Sequence, residues 1–148
     1  MISDFAGQEV YYASHQMFLS SRSVYLLVWN LGQPLKESRF EYWLNAIKAK
    51  SPKAPVIIVG THLDDCGKSE AELEEIRQQI SEKYYRFENI KSIVEVDARK
   101  TGRKVEELIK LLNSVAFELG GVGDPIPKAW SLLEEGVFKE RLLVILLA

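Results

Sequence analysis

Three times along 148 residues a strand-like run, continuously apolar in the first two cases, is followed by a stretch with helical periodicity, and that alternation constrains the fold more than any other feature. Residues 24–29 (VYLLVW), 55–60 (PVIIVG) and 92–96 (SIVEV) are the runs. A strand that is apolar at nearly every position is covered on both faces, as in a parallel sheet flanked by helices. Between 35 and 50, Phe40, Trp43, Leu44 and Ile47 fall at i, i+3, i+4 and i+7, one stripe of an amphipathic helix that Ser51-Pro52 ends. Ser69 and Glu72 have the spacing of a capping box, ahead of a helix whose stripe is Leu73, Ile76, Ile80 and Tyr84. Val105, Leu108, Ile109, Leu112, Val115, Ala116 and Leu119 predict a long third helix, stopped by Gly120-Gly121. Such alternation requires βαβ crossovers and therefore an α/β fold.

Composition narrows the function classes. The length suits one domain, and 47% hydrophobic with 27% charged residues is globular rather than disordered. Nineteen Lys and Arg against twenty-one Asp and Glu, net −2, leave no positive excess for nucleic acid or an anionic membrane surface. Cys66 is the single cysteine, which excludes an internal disulfide and suits a reducing, cytoplasmic setting. The start has neither the basic flank nor the apolar run of a signal peptide, and the apolar run 142–148 is too short to span a bilayer. No cluster has zinc-ligand spacing, so His15 and His62 are not read as metal ligands.

In open α/β sheets ligands sit beyond the C-terminal ends of the strands, so the loops there are the places to look for chemistry. Thr61-His62-Leu63-Asp64 follows the second run and Asp97-Ala98-Arg99-Lys100 follows the third. A further motif, Asp4-Phe5-Ala6-Gly7-Gln8-Glu9, comes near the start. Each motif has a plainer reading. Asp4 to Gly7 can be an Asp-started turn with glycine at a positive φ, Thr61 to Asp64 a loop of Asx turns, and Asp97-Ala98 a strand end ahead of a Thr101-Gly102 turn.

Taken in order, the motifs resemble the Roc GTPase domain of the Roco proteins, the Ras-like family that includes the leucine-rich-repeat kinases. Asp4 to Glu9 with Tyr11-Tyr12-Ala13-Ser14-His15-Gln16 and Phe18-Leu19 resembles the Roc switch II, and Thr61-His62-Leu63-Asp64 the guanine-specificity motif. The resemblance implies a three-layer α/β/α, P-loop-NTPase-like parallel sheet that binds GTP or GDP with Mg²⁺. It implies that Asp64 accepts hydrogen bonds from the guanine ring N–H and exocyclic amine, with Thr61 in the same motif and His62 packing its ring over the base. Asp97, Ala98 and Arg99 would form the last motif, with the Ala98 N–H on the guanine carbonyl oxygen. Asp4 would hold Mg²⁺ through a water, Gly7 would contact the γ-phosphate, and Gln8 would orient the attacking water. Residues 1–120 are then part of a Roc domain, and 121–148, with Gly123-Asp124-Pro125-Ile126-Pro127 leading to Trp130, a linker and the start of a COR domain that serves self-association or protein partners.

The chain departs from that pattern in having no G-x-x-x-x-G-K-[ST] and no switch I. The expectation is therefore an N-terminally truncated Roc domain, in which residues 24–29 form an exposed sheet edge, the apolar run 142–148 has no partner of its own, and the chain by itself is inactive toward GTP. The alternative is a non-catalytic interaction module offering Tyr11, Tyr12, Phe18 and Trp29 to a partner or a second copy.

Overall fold

The predicted strands pair as parallel neighbours. The computed structural model describes residues 2–5, 19–21, 23–97, 99, 102–119 and 143–147, with 2–5 and 143–147 entering through their backbone pairing. In chain order the elements are β1 (Ile2–Phe5), β2 (Val24–Asn30), a 3₁₀ turn (Leu35–Glu37), α1 (Phe40–Lys50), β3 (Val56–Thr61), α2 (Glu70–Lys83), β4 (Ile90–Glu95), α3 (Arg103–Glu118) and β5 (Leu143–Leu147). The strands form one parallel sheet in the order β1-β5-β2-β3-β4.

Two boundaries differ from the sequence reading for local reasons. The first helix starts at Phe40 rather than near Leu35, because Ser38 is extended (φ −65°, ψ 146°) and separates a single 3₁₀ turn from α1. The strand expected at 92–96 begins at Ile90, which is paired with Val56 ahead of a bulge between Val56 and Ile57. The capping box holds: Glu72 N–H donates to the Ser69 hydroxyl, and the Glu72 carboxylate accepts from Ser69 N–H at 2.8 Å and from its hydroxyl at 2.7 Å. Those two bonds hold the Glu72 carboxyl below its ordinary range.

Alternation along β2 and β3 divides the core into two layers. Tyr25, Leu27, Trp29, Val56 and Ile58 face α1 and α2, meeting Phe40, Trp43, Leu44, Ile47, Leu73 and Ile80. Val24, Leu26, Ile57 and Val59 face the other way and pack with Val115 and the half-buried Leu108 and Leu112 of α3. Ile109, expected on the buried stripe of α3, is half exposed, and Leu111 packs in its stead. Tyr25 is buried and ties down the segment entering β2: its hydroxyl accepts from Ser20 N–H at 2.6 Å and donates to Ser20 C=O at 2.9 Å. Burial pushes its phenol above the ordinary value.

The expectation of an exposed edge at β2 is overturned. β5 lies between β1 and β2, pairing Val24–Val28 with Leu143–Leu147 and Ile2–Phe5 with Leu143–Leu146. The apolar tail thus has two strand partners, so the sheet edges among the described residues are β1 and β4. The physical reason is that an inner position satisfies the backbone N–H and C=O groups on both sides of a strand, where an edge leaves one side unpaired.

Candidate functional site

The C-terminal ends of β3 and β4 carry the best-defined polar cluster. Gly60, one residue before the end of β3, makes it possible: a Cβ there would meet the buried Leu31 side chain at 2.7 and 2.8 Å. Leu31 can therefore seat directly on the strand end. Gly60→Ala is expected to cost about 1–3 kcal/mol through overpacking, read as a lower urea midpoint, with the amides of 61–66 exchanging faster; an unchanged midpoint would remove this account of the glycine.

Beyond Gly60 the chain turns sharply. The Thr61 hydroxyl donates to Trp29 C=O at 3.2 Å and lies 3.0 Å from His62 Nδ1. His62 has φ 61°, a left-handed backbone that a residue with a Cβ seldom adopts. Downstream residues hold it there: the His62 carbonyl accepts from Asp65 N–H at 3.1 Å and Cys66 N–H at 2.9 Å, while Leu63 N–H reaches across to Val96 C=O at 3.3 Å. The Cys66 thiol donates to Leu63 C=O at 3.0 Å, and Gly67 closes the turn at φ 65°. The His62 and Asp64 side chains are left exposed at this rim. Strained backbone over-determined by its surroundings is a mark of a working loop.

The loop after β4 is locked to this one by Arg99. The buried Asp97 accepts from Arg99 N–H at 3.0 Å, from Nε at 3.2 Å and from Nη2 at 2.9 Å, and Arg99 Nη2 also pairs with Asp65 at 2.7 Å. Asp97 and Asp65 together hold the guanidinium above its ordinary range. Thr61, His62, Asp64, Asp97 and Arg99 therefore share one end of the sheet. Ala98, Gly7 and Gln8 lie outside the described residues. Asp4 stands apart in backbone terms: its row runs through Ile145 and Leu26 to Ile57, four residues short of the Asn30–Thr61 row. That is roughly 13 Å along the strands and three strand spacings, roughly 14 Å, across them. Among the described residues no group of three or more His, Cys, Asp or Glu could hold a metal by itself, and no helix is long and apolar enough to cross a membrane.

Sequence reasoning missed Asp65, the third member of the clamp; its signal, an Asp next to Asp64, gains meaning only once Arg99 is opposite. It also missed Arg77. Glu95, the last residue of β4 and 5% exposed, accepts from Arg77 Nε and Nη2, both at 2.9 Å. Arg77 further pairs with Glu70 at 2.9 Å and with Glu74, binding α2 to the strand that delivers Asp97.

A family model described as "Ras of Complex, Roc, domain of DAPkinase" matches residues 1–64, from β1 to Asp64. A probable serine/threonine-protein kinase of Dictyostelium discoideum, roco6, is 40% identical over 146 residues, 97% of this chain. The chain belongs to the Roc family. Another Dictyostelium relative, the probable kinase pats1, is 41% identical over 140 residues, 94% of the chain. This Roc chain spans 7% of the length of roco6 and 4% of pats1. The structure of Methanosarcina barkeri Roco2 RocCORdC bound to GDP matches it with a TM-score of 0.62 at 25% identity, over 89% of this chain and 38% of that one. The α/β, Ras-like fold that the resemblance implied is thus the fold of this Roc chain. One part of the alternative reading needs correcting: Trp29 is 2% exposed and meets Phe40 edge-on at 5.9 Å, so it belongs to the core and is not offered to a partner. Tyr11, Tyr12 and Phe18 lie outside the described residues.

Proposed function

We propose that this chain is the base-recognising part of a Roco-type guanine-nucleotide switch, within a protein that binds and hydrolyses GTP. The observation that carries the reading is the Arg99 clamp, which joins the loops after β3 and β4 at one end of the sheet. Asp64 accepts from the guanine ring N–H and exocyclic amine, a paired, charge-assisted contact that adenine cannot make. The His62 ring lies over the base, Thr61 anchors the turn, and the Asp97-Ala98-Arg99 loop offers the Ala98 N–H to the carbonyl oxygen. Asp4, on β1, would hold Mg²⁺ through a water, while Gly7 would sense the γ-phosphate and Gln8 would orient the hydrolytic water. A lone carboxylate fits Mg²⁺, which keeps its waters and takes the remaining ligands from phosphate. Bound there, Mg²⁺ neutralises phosphate charge. The GDP named for the Roco2 neighbour supports the ligand class. A cytoplasmic setting, a Roc segment over 1–120, and self-association through the COR-like segment 121–148 belong to the same reading.

The sequence has no phosphate-cradling G-x-x-x-x-G-K-[ST], so this chain should bind nucleotides only at about millimolar concentration. The test is a titration of the 148-residue chain with guanosine, adenosine and xanthosine followed by amide chemical shifts. Guanosine is expected to move the amides of 61–66 and of Asp97 and Arg99, and adenosine to leave them still. Asp64→Asn is expected to move the preference from guanosine to xanthosine by about tenfold or more, since the site's polar groups lose their matched partners. Equal shifts with guanosine and adenosine, or a preference that Asp64→Asn leaves intact, would remove the base-recognition assignment.

A further inference from the structure

Thr61 and His62 are neighbours in sequence whose side chains meet, which a regular strand does not allow. Successive residues of a strand point to opposite faces, and Thr61 is the last residue of β3. The contact exists because His62 leaves the strand at φ 61°, with its ring Nδ1 3.0 Å from the Thr61 hydroxyl oxygen. The same hydroxyl lies 3.2 Å from the carbonyl oxygen of Trp29, a buried residue of β2. A hydroxyl has one hydrogen to give, a carbonyl only accepts, and a neutral imidazole carries its hydrogen on one nitrogen. If the hydroxyl donated to Nδ1, two oxygens would face each other at 3.2 Å with no hydrogen between them. If it donates to Trp29, both contacts are hydrogen bonds, provided that Nδ1 is the nitrogen carrying the ring hydrogen.

We infer that Thr61 is the positioning residue of the base site: anchored on the Trp29 carbonyl, its hydroxyl accepts from His62 Nδ1–H, holds the ring in that tautomer and leaves Nε2 as a bare acceptor on the exposed rim. Which ring nitrogen is protonated is set by the hydrogen bonds the ring makes. In water alone the hydrogen prefers Nε2, so Thr61 reverses the intrinsic choice. The plane of the ring is fixed before a base arrives, and less side-chain freedom is lost on binding. The strained φ of His62 then has a purpose, since it is what brings the ring to the hydroxyl. The ligand in this inference rests on the base-recognition reading; the tautomer does not.

The test uses the 148-residue chain at about pH 8, where an imidazole is ordinarily neutral. Long-range proton–nitrogen correlation spectra of the imidazoles, assigned with His62→Gln, read the tautomer without any ligand. His62 is expected to carry its hydrogen on Nδ1 in the wild type, to move it to Nε2 in Thr61→Val, which keeps the side-chain shape but lacks the hydroxyl, and to return it to Nδ1 in Thr61→Ser. A guanosine titration reads the consequence. The initial slope of the Asp97 and Arg99 amide shifts against guanosine concentration is expected to fall about three- to tenfold in Thr61→Val, the effect of one hydrogen bond, and to recover in Thr61→Ser. Should Thr61→Val fail to fold, the wild-type and Thr61→Ser spectra still decide the tautomer. Nε2 protonation in the wild type, the same tautomer in Thr61→Val, or an undiminished slope in that variant would each overturn the inference. Wild-type amides that guanosine leaves still would remove the base-recognition reading and Thr61's role toward a ligand with it, while the nitrogen spectrum decides the tautomer on its own.

Discussion

Replacing Arg77 with Met is expected to destabilise the chain by about 3–5 kcal/mol. The reason lies in Glu95, whose two oxygens are both committed to Arg77 while the residue itself is 5% exposed at the end of β4. Removing the guanidinium leaves the buried Glu95 carboxylate without its two donors in a groove of about 360 Å³ lined by Ile93, Val94, Leu108 and Leu111, with Lys104 and Glu107 also on its wall. The exposed pairs with Glu70 and Glu74 contribute little, because solvent screens them. Glu95, and after it Glu70 and Glu74, hold the Arg77 guanidinium above its ordinary range, so it stays charged at any pH the fold survives. Urea unfolding at neutral pH measures the loss. Adding Glu95→Leu to Arg77→Met should restore most of it, since a buried ion pair exchanged for apolar groups of similar volume is close to neutral. A single variant within about 0.5 kcal/mol of wild type would mean that Glu95 finds water or another donor.

Trp43→Ala is expected to cost about 3–5 kcal/mol, against a total of about 5–15 kcal/mol for a natural domain. Trp43 has no exposed surface and is the largest fully buried side chain of the layer that α1 lays on the sheet, among Phe40, Leu44 and Ile47 and over Tyr25, Leu27 and Trp29. Its ring also meets Tyr42 edge-on at 5.1 Å. The cavity left behind cannot close without moving α1. Because β2 and β3 share this layer, the turn at 61–66 should lose exchange protection together with the core. Thermal unfolding reads the loss, and Trp43→Phe, which keeps a ring in the layer, should recover part of it. A melting midpoint shifted by less than about 2 °C for Trp43→Ala would show that the layer repacks.

Much of the fold was legible before the structure because its signals are local. The apolar runs at β2 and β3, the stripe Phe40–Trp43–Leu44–Ile47 and the Ser69–Glu72 capping box each lie within one element, where periodicity and capping chemistry report directly. The candidate site was legible only in outline. Thr61, His62, Asp64, Asp97 and Arg99 could be placed on loops at strand ends, but the residues that organise those loops do so across chain distance. Gly60 matters because Leu31 sits on it, and Asp65 because Arg99 reaches it. Arg77 carries no local signal of its role, because its partner Glu95 lies 18 residues away in sequence.

The sequence by itself determined that β2, β3 and β4 alternate with three helices in a parallel α/β sheet, because burial on both faces and helical periodicity are written within each segment. Only the tertiary structure decided which strand stands beside β2. The sequence reading left that edge open and the apolar tail without a partner, whereas the folded chain sets Leu143–Leu147 into the gap. Strand order is a choice among apolar segments whose side chains carry no code for their neighbour, and it is made by how completely each arrangement removes ladders and faces from water.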